Sequence, residues 1–416
     1  MRSSFVIVTL LWTVAVAYYV YIPLPATINE QWKLMLLDAG LRTVIKMGDV
    51  GEWLGLGHAI SLIRGSMWGL EGLKELMEAS GLAGGGGGGV RVSEDTFGGV
   101  PVRVYEPPAG GEGQLRRAVM YYHGGGWALG SAKDGSYDVL TRQMSDELNA
   151  VVVSVEYRLA PEVLFPVPYE DCLSAAKHFL EKGVLGKYLV DPQRVAVSGD
   201  SAGGNLAAAV AQQIAIDDSV SVKFSVQALV YPALQVLDLN TPSYQQNQAI
   251  PILYRPFMVR FWLQYLGADP AILPLLVANN HSFLHQPSIT ADMRARVDWS
   301  VLLPAKHRGQ YRPGGGAEAS RGWVGKEVEG VGDVRVSPLL AELAVLARCP
   351  RAYVLTCEHD VLRDDGLMYV RRLQDAGITV TSHHLDDGFH GCLSFKHFEI
   401  GKRACRGYIA WLQENL

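Results

Sequence analysis

From Val90 onward, short apolar or β-branched runs alternate with helical stretches, and this alternation constrains the fold more than any other feature of the chain. The runs fall at Val90 to Val92, Val100 to Tyr105, Ala118 to Tyr122, Val151 to Tyr157, Val195 to Ser198, Val226 to Tyr231, Ala352 to Cys357 and Ile378 to Leu385. Helical stretches at Tyr137 to Leu148, Tyr169 to Glu181, Ala202 to Ile216 and Gly366 to Ala376 lie between several of them. Such a rhythm predicts an α/β fold with a mostly parallel central sheet, helices on both faces, and sites at the C-terminal ends of the strands. It breaks once, between Tyr231 and Arg351. Residues 232–350 are too many for one crossover, so they predict an insertion over the site.

A chain of 416 residues with 49% apolar and 19% charged residues fits one large domain with a cap. The formal charge of −5 gives no reason to expect a nucleic-acid partner. Cys172, Cys349, Cys357, Cys392 and Cys405 are widely spaced, without C-x-x-C pairs. They predict neither a disulfide framework nor a thiolate metal centre.

Phe5 to Ile22 carries no charge and is just long enough to cross a bilayer. Tyr18, Tyr19 and Tyr21 follow where an aromatic belt sits, and Arg2 favours a cytosolic N-terminus, although Lys33 weakens the asymmetry. A cleaved signal peptide is the rival, because Ala15-Val16-Ala17 has the form of a cleavage site. The anchor is preferred, with the rest of the chain lumenal and Asn280-His281-Ser282 an acceptor for N-glycosylation. Residues 30 to 80 read as helical, through Trp32, Leu34, Leu36, Leu37 and Leu41 and then Trp53, Leu54, Leu56, Ile60 and Ile63. Core packing and a cap resting on the bilayer explain these side chains equally well. Gly84 to Gly89 reads as a connector, not a phosphate cradle, because no Gly-Lys-Ser/Thr follows. The predicted organisation is a cytosolic tail (1–4), a transmembrane anchor (5–22), a helical cap segment with a Gly-rich linker (23–89), and a catalytic domain (90–416) with its insertion around 232–350.

Gly199-Asp200-Ser201-Ala202-Gly203 matches the G-x-S-x-G pattern of a nucleophilic serine. With 45 glycines in the chain the pattern alone is weak, so its context decides. A strand precedes it and an alanine-rich helix follows, as a sharp strand-to-helix turn requires. Small neighbours tolerate the crowding there, and the turn aims the Ala202 N–H where negative charge would develop. Upstream, His123-Gly124-Gly125-Gly126-Trp127 follows a strand. By itself it is as easily a tight turn, but its position predicts that Gly124, Gly125 and Gly126 complete an oxyanion hole while His123 braces the loop. A serine needs a base, and the order serine, acid, histidine points to Asp360 and His390. Asp364 and Asp365 compete with Asp360, but fall at a helix start where carboxylates serve the dipole. His383 and His384 lie within a strand and His397 beyond the loop, whereas His390 sits between glycines after the last strand.

HGGGW, GDSAGG, Glu156 to Pro161, and DVLRDDG ahead of DGFHG resemble the hormone-sensitive-lipase branch of the α/β-hydrolases. Tyr19 to Pro25, Trp32 to Asp38, Thr241 to Asn247 and CEHDVLRDDG are similar to the neutral cholesterol ester hydrolase and arylacetamide deacetylase group within it, over nearly the whole chain. The resemblance implies a single-pass type II enzyme of the endoplasmic-reticulum membrane with a lumenal catalytic domain. It also implies cleavage of cholesteryl esters and 2-acetyl monoalkylglycerol ethers through Ser201, His390 and Asp360, without metal or cofactor. The hexaglycine run and the Gly-rich stretch from Arg312 to Gly332 depart from the pattern, and no sequon occurs at Asp298-Trp299-Ser300, leaving Asn280. Ile250, Leu253, Tyr254, Phe257, Met258, Phe261, Trp262 and Leu275 of the insertion are expected to shape an acyl or sterol pocket. An amide-cleaving deacetylase of xenobiotics and a non-catalytic binding protein of the same fold are the alternatives. Phosphate chemistry is disfavoured by the missing phosphate loop.

Overall fold

The computed structural model describes residues 2–66, 89–108, 114–278, 283–311 and 327–416, with side chains from residue 7 onward. Asn280, residues 84–88 of the glycine run and residues 312–326 lie outside the described residues.

Eight strands form one sheet: β1 (Arg91–Phe97), β2 (Val100–Glu106), β3 (Arg116–Tyr122), β4 (Ala150–Val155), β5 (Val190–Asp200), β6 (Val226–Val230), β7 (Arg351–His359) and β8 (Val380–Phe389). Their order is β1-β2-β4-β3-β5-β6-β7-β8. The first hairpin and the β2–β4 pair are antiparallel, and every later neighbour is parallel. β4 reads AVVVSV and is buried throughout. Such continuous hydrophobicity follows from a strand covered on both faces. Val151, Val153 and Val155 enter one core, and Ala150 and Val152 enter the other.

The first core lies under α4 (Val167–Phe179), α5 (Ala202–Ile216) and α7 (Arg363–Asp375). On the opposite face, α3 (Gly135–Leu148) packs with α8 (Glu399–Asn415). The expected α/β-hydrolase architecture is thus present. Boundaries differ for local reasons. β1 runs past its charged residues because it is an edge strand on which Glu94 is exposed and Asp95 is paired with Lys187 and Tyr188, and β8 extends to Phe389, directly before His390. α8 was not anticipated, although Ile400, Ala404, Tyr408 and Leu412 repeat at helical spacing.

The insertion contributes α6 (Arg255–Tyr265) above the strand ends, while its later part returns to the first core through Trp299, Leu339 and Leu340. It is therefore both roof and flank. Asp364 and Asp365 fall in the first turn of α7, as expected, but they do more than serve its dipole. Both are buried, with Asp365 accepting from the Leu234 and Gln235 N–H groups and Asp364 from the Ser243 N–H. They bolt the start of the insertion to α7.

At the N-terminus, α1 (Arg2–Val20) leads into α2 (Gln31–Trp53). Ile7, Leu10, Leu11, Trp12, Val14 and Val16 of α1 are exposed. Among the described residues, no helix is long and apolar enough to cross a membrane. α2 divides its side chains: Leu34 and Ile45 are buried, while Trp32, Met47 and Trp53 face outward.

β5, α5 and β3 meet with no room for a side chain between them. A Cβ on Gly203 would lie 2.0 Å from the Tyr122 carbonyl oxygen, and one on Gly199 would lie 2.3 Å from the Gly203 carbonyl oxygen. Gly203→Ala is therefore expected to destabilise the chain by roughly 3 kcal/mol through overpacking against backbone. Urea unfolding checks this, and an unchanged midpoint would refute the contact.

Candidate active site

β5 ends at Asp200 and α5 starts at Ala202, so Ser201 alone makes the reversal, at φ 56° and ψ −119°. Strain of this kind persists only where surroundings over-determine it. Here the Ser201 N–H donates to the Val230 carbonyl at 2.9 Å, and the Ser201 carbonyl accepts from Asn205 N at 3.1 Å. The hydroxyl is thereby lifted from the sheet at the N-terminal end of α5.

His390 follows β8, and its Nε2 lies 2.9 Å from Ser201 Oγ. Its Nδ1 lies 2.8 Å from Asp360 Oδ2. Asp360 follows β7, and its other oxygen accepts the Leu362 N–H at 2.9 Å. With Asp360 ionised, Nδ1–H donates to it and Nε2 is left to accept the serine proton. The three residues are 8%, 6% and 1% exposed in the order Ser201, His390, Asp360, so the line is shielded along its length. Tyr231 packs against the imidazole with ring centroids 4.8 Å apart.

The glycine loop after β3 departs from expectation at one position. The Gly124 N–H already donates to Tyr137 Oη at 2.9 Å and to Asp200 Oδ1 at 3.0 Å, so it is not free for an oxyanion. Gly125 and Gly126 have φ of 108° and 62°, which only glycine adopts readily. Among the described residues, the N–H groups of Gly125, Gly126 and Ala202 have no hydrogen-bond partner. His123 is buried, with its ring stacked on Tyr157 and Nδ1 against the Gly124 carbonyl. Burial pushes its imidazole down, which suits a neutral brace.

Asp200 has a larger role than its motif position suggested. Its carboxylate accepts from Tyr121 at 2.9 Å and Tyr137 at 3.1 Å as well as from Gly124. Burial raises its pKa, opposed by these donors and by His390. Burial and the neighbouring Asp200 charge keep the Tyr137 hydroxyl protonated to donate. Sequence reasoning missed both tyrosines, and also Asn247, whose Nδ2 donates to the Glu358 and Asp360 carbonyls at 2.9 Å. Trp127 was seen only as motif, yet it stacks on Tyr265 and meets Trp262, joining the glycine loop to α6.

A cavity of about 560 Å³ opens from Ser201 and His390. Leu253, Phe257, Met258 and Phe261 line it as expected, while Ile250, Tyr254, Trp262 and Leu275 do not. Leu36, Leu37, Leu41 and Val44 of α2 supply the opposite wall, so this helix covers the site.

A family profile described as "alpha/beta hydrolase fold" matches residues 119–292 and 316–394. The chain belongs to the α/β-hydrolase family. It is 46% identical to neutral cholesterol ester hydrolase 1 of Bos taurus over 423 residues, covering 100% of both chains. It is 45% identical to arylacetamide deacetylase of Oryctolagus cuniculus over 404 residues, covering 96% of each. Among solved structures it resembles a thermophilic carboxylesterase cloned from a metagenomic library, at 27% identity and a TM-score of 0.61, covering 86% of this chain and 97% of that one. An esterase of Pyrobaculum calidifontis aligns with a TM-score of 0.61 at 28% identity, covering 85% and 92%. In this α/β-hydrolase the matched region contains Ser201, Asp360 and His390, whereas α1 and α2 lie outside it.

Because Asp200 ties the glycine loop to the serine turn, Asp200→Ala is expected to lower kcat for a p-nitrophenyl ester by roughly tenfold to hundredfold with little change in KM. Asp200→Asn, which keeps one acceptor, is expected to lose less. A change confined to KM would mean that the tether does not position the loop.

Proposed function

We propose that the chain is a membrane-anchored serine carboxylic ester hydrolase acting on lipid esters. Support comes from the 2.8 and 2.9 Å contacts linking Asp360, His390 and Ser201 beside three unpartnered N–H groups, all opening onto an apolar cavity. His390 takes the Ser201 proton as Oγ attacks the ester carbonyl, and Asp360 stabilises the imidazolium. Gly125, Gly126 and Ala202 donate to the developing oxyanion. His390 returns the proton to the leaving alcohol, and water then releases the acyl group by the reverse steps.

The cavity's walls of leucine, valine, phenylalanine and methionine favour a long acyl chain or a sterol over a charged substrate. Cholesteryl esters, in keeping with the name of the 46% identical relative, and 2-acetyl monoalkylglycerol ethers are the proposed substrates. The 45% identical arylacetamide deacetylase makes amide cleavage the competing reading. A panel of a cholesteryl ester, p-nitrophenyl acetate and an arylacetamide separates the two. Ester turnover is expected to dominate and Ser201→Ala to lose on the order of 10⁶ in kcat. Amide turnover above ester turnover would reverse the substrate assignment. Failure of a fluorophosphonate probe to label Ser201 would leave a non-catalytic binding protein.

Residues 5–22 are proposed as the anchor, residues 1–4 as its cytosolic tail, residues 23–89 as cap and linker, and residues 90–416 as a catalytic domain in the endoplasmic-reticulum lumen. The exposed apolar side chains of α1 favour this, as does an apolar groove of about 910 Å³ between α1 and α2. Expressed in microsomes, the full chain is expected to resist alkaline carbonate extraction, and removal of residues 1–22 to release it. Endoglycosidase treatment is expected to shift its gel mobility, but not that of Asn280→Gln. Release of the full chain by carbonate would exclude the anchor.

A further inference from the structure

We propose that His307, Glu358 and His384 form a binding site for a zinc-class divalent cation that clamps the insertion to the sheet. The three come from separate elements. His307 lies in the helical turn Ala305–Arg308 of the insertion, Glu358 near the end of β7, and His384 in β8 beside Thr356 of β7. One ligand atom from each lies within 4.8 Å of the others. Glu358 Oε2 is 3.0 Å from His384 Nε2 and 3.7 Å from His307 Nδ1. Tetrahedral zinc with bonds of about 2.0 Å sets its ligand atoms about 3.3 Å apart, so the two separations to Glu358 need only a small adjustment, while the two imidazoles, within 4.8 Å of each other, would close in on the cation.

Two further observations point to a ligand. His307 is 7% exposed, and among the described residues neither of its ring nitrogens has a hydrogen-bond partner. Its imidazole instead meets that of His384 edge-on at 5.2 Å and faces the carboxylate. The other ligands are held from behind, as metal ligands are. Thr356 Oγ1 lies 2.9 Å from His384 Nδ1, so Nε2 is the atom turned to Glu358 Oε2, and a cation would take the place of the hydrogen bond between them. Arg363 donates to Glu358 Oε1 at 2.8 Å, so Oε2 is the oxygen that faces both imidazoles. Two imidazoles and one carboxylate suit zinc better than magnesium or calcium, which take oxygen ligands. Asp386 Oδ1, 3.6 Å from His384 Nε2 and exposed, or water would complete the fourth corner.

The site stands apart from the proposed ester chemistry but adjoins its acid. Glu358 precedes Asp360 by two residues, and Asn247 of the insertion holds the carbonyls of both. A cation here would fix the insertion, and with it the cavity's roof, against the strand that carries Asp360.

Titration calorimetry of the full chain in detergent with zinc chloride is expected to give one zinc per chain, and zinc is expected to raise the thermal midpoint. Magnesium chloride is expected to give neither. His307→Ala and His384→Gln should abolish both effects, and Thr356→Val should weaken zinc about tenfold. Esterase turnover without zinc reports whether each variant has folded; if His307→Ala has not, His384→Gln and Thr356→Val carry the test. Undiminished zinc affinity in the folded variants, or no zinc heat in the wild type, would overturn the site.

Discussion

Backbone approach at the end of β5 governs the rest of the molecule. The Gly199 and Gly203 positions leave no room for a side chain, and the atoms that crowd Gly203 are the carbonyls of Tyr122 and His123. One contact therefore sets two things. It holds Ser201 at positive φ against the first turn of α5, and it brings the glycine loop after β3 alongside. The serine hydroxyl and the unpartnered Gly125 and Gly126 N–H groups are neighbours because two glycines let three backbones touch.

Polar side chains carry that arrangement outward. Asp200 gathers Tyr121, Tyr137 and Gly124, Asn247 holds the chain on both sides of His359, and Asp364 and Asp365 capture the start of the insertion. Buried carboxylates are tolerated only with donors in place, and each of these has them. The consequence is a roof whose position is tied to the strand ends by directional bonds as well as by apolar packing.

The N-terminal segment is bound to the same loops. Thr27 Oγ1 lies 2.7 Å from His359 Nε2, next to Asp360, and Asn29 donates to Asp387 at 2.9 Å, three residues before His390. Lys33 reaches the His397 carbonyl, and Glu30 accepts the Glu399 N–H. The link between α1 and α2, and the start of α2, are thus connected to the supports of the acid and the base. α2 also supplies one wall of the cavity, so the cap has two sources far apart in sequence.

Much of this was legible beforehand, because local patterns suffice where the backbone itself is the message. Continuous β-branched runs announced strands covered on both faces, the elbow announced a strand-to-helix turn, and chain order singled out Asp360 and His390 from their competitors. Other features depend on contacts across long separations, which no local pattern records. Which glycine N–H groups are free depended on Tyr137 and Asp200 meeting Gly124, and the role of Asp364 and Asp365 on where the insertion lands. Half of the residues expected to line the cavity do so, because helical periodicity fixes which side chains share a face but not which face turns inward. His307, Glu358 and His384 are likewise brought together only by the packing of the insertion against β7 and β8. The sequence by itself determined the sheet, its helices and the side chains able to take part in acyl transfer, since these follow from backbone propensity and chain order. Only the tertiary structure decided which donors are unpaired and what covers the site, since both turn on desolvated contacts between distant segments.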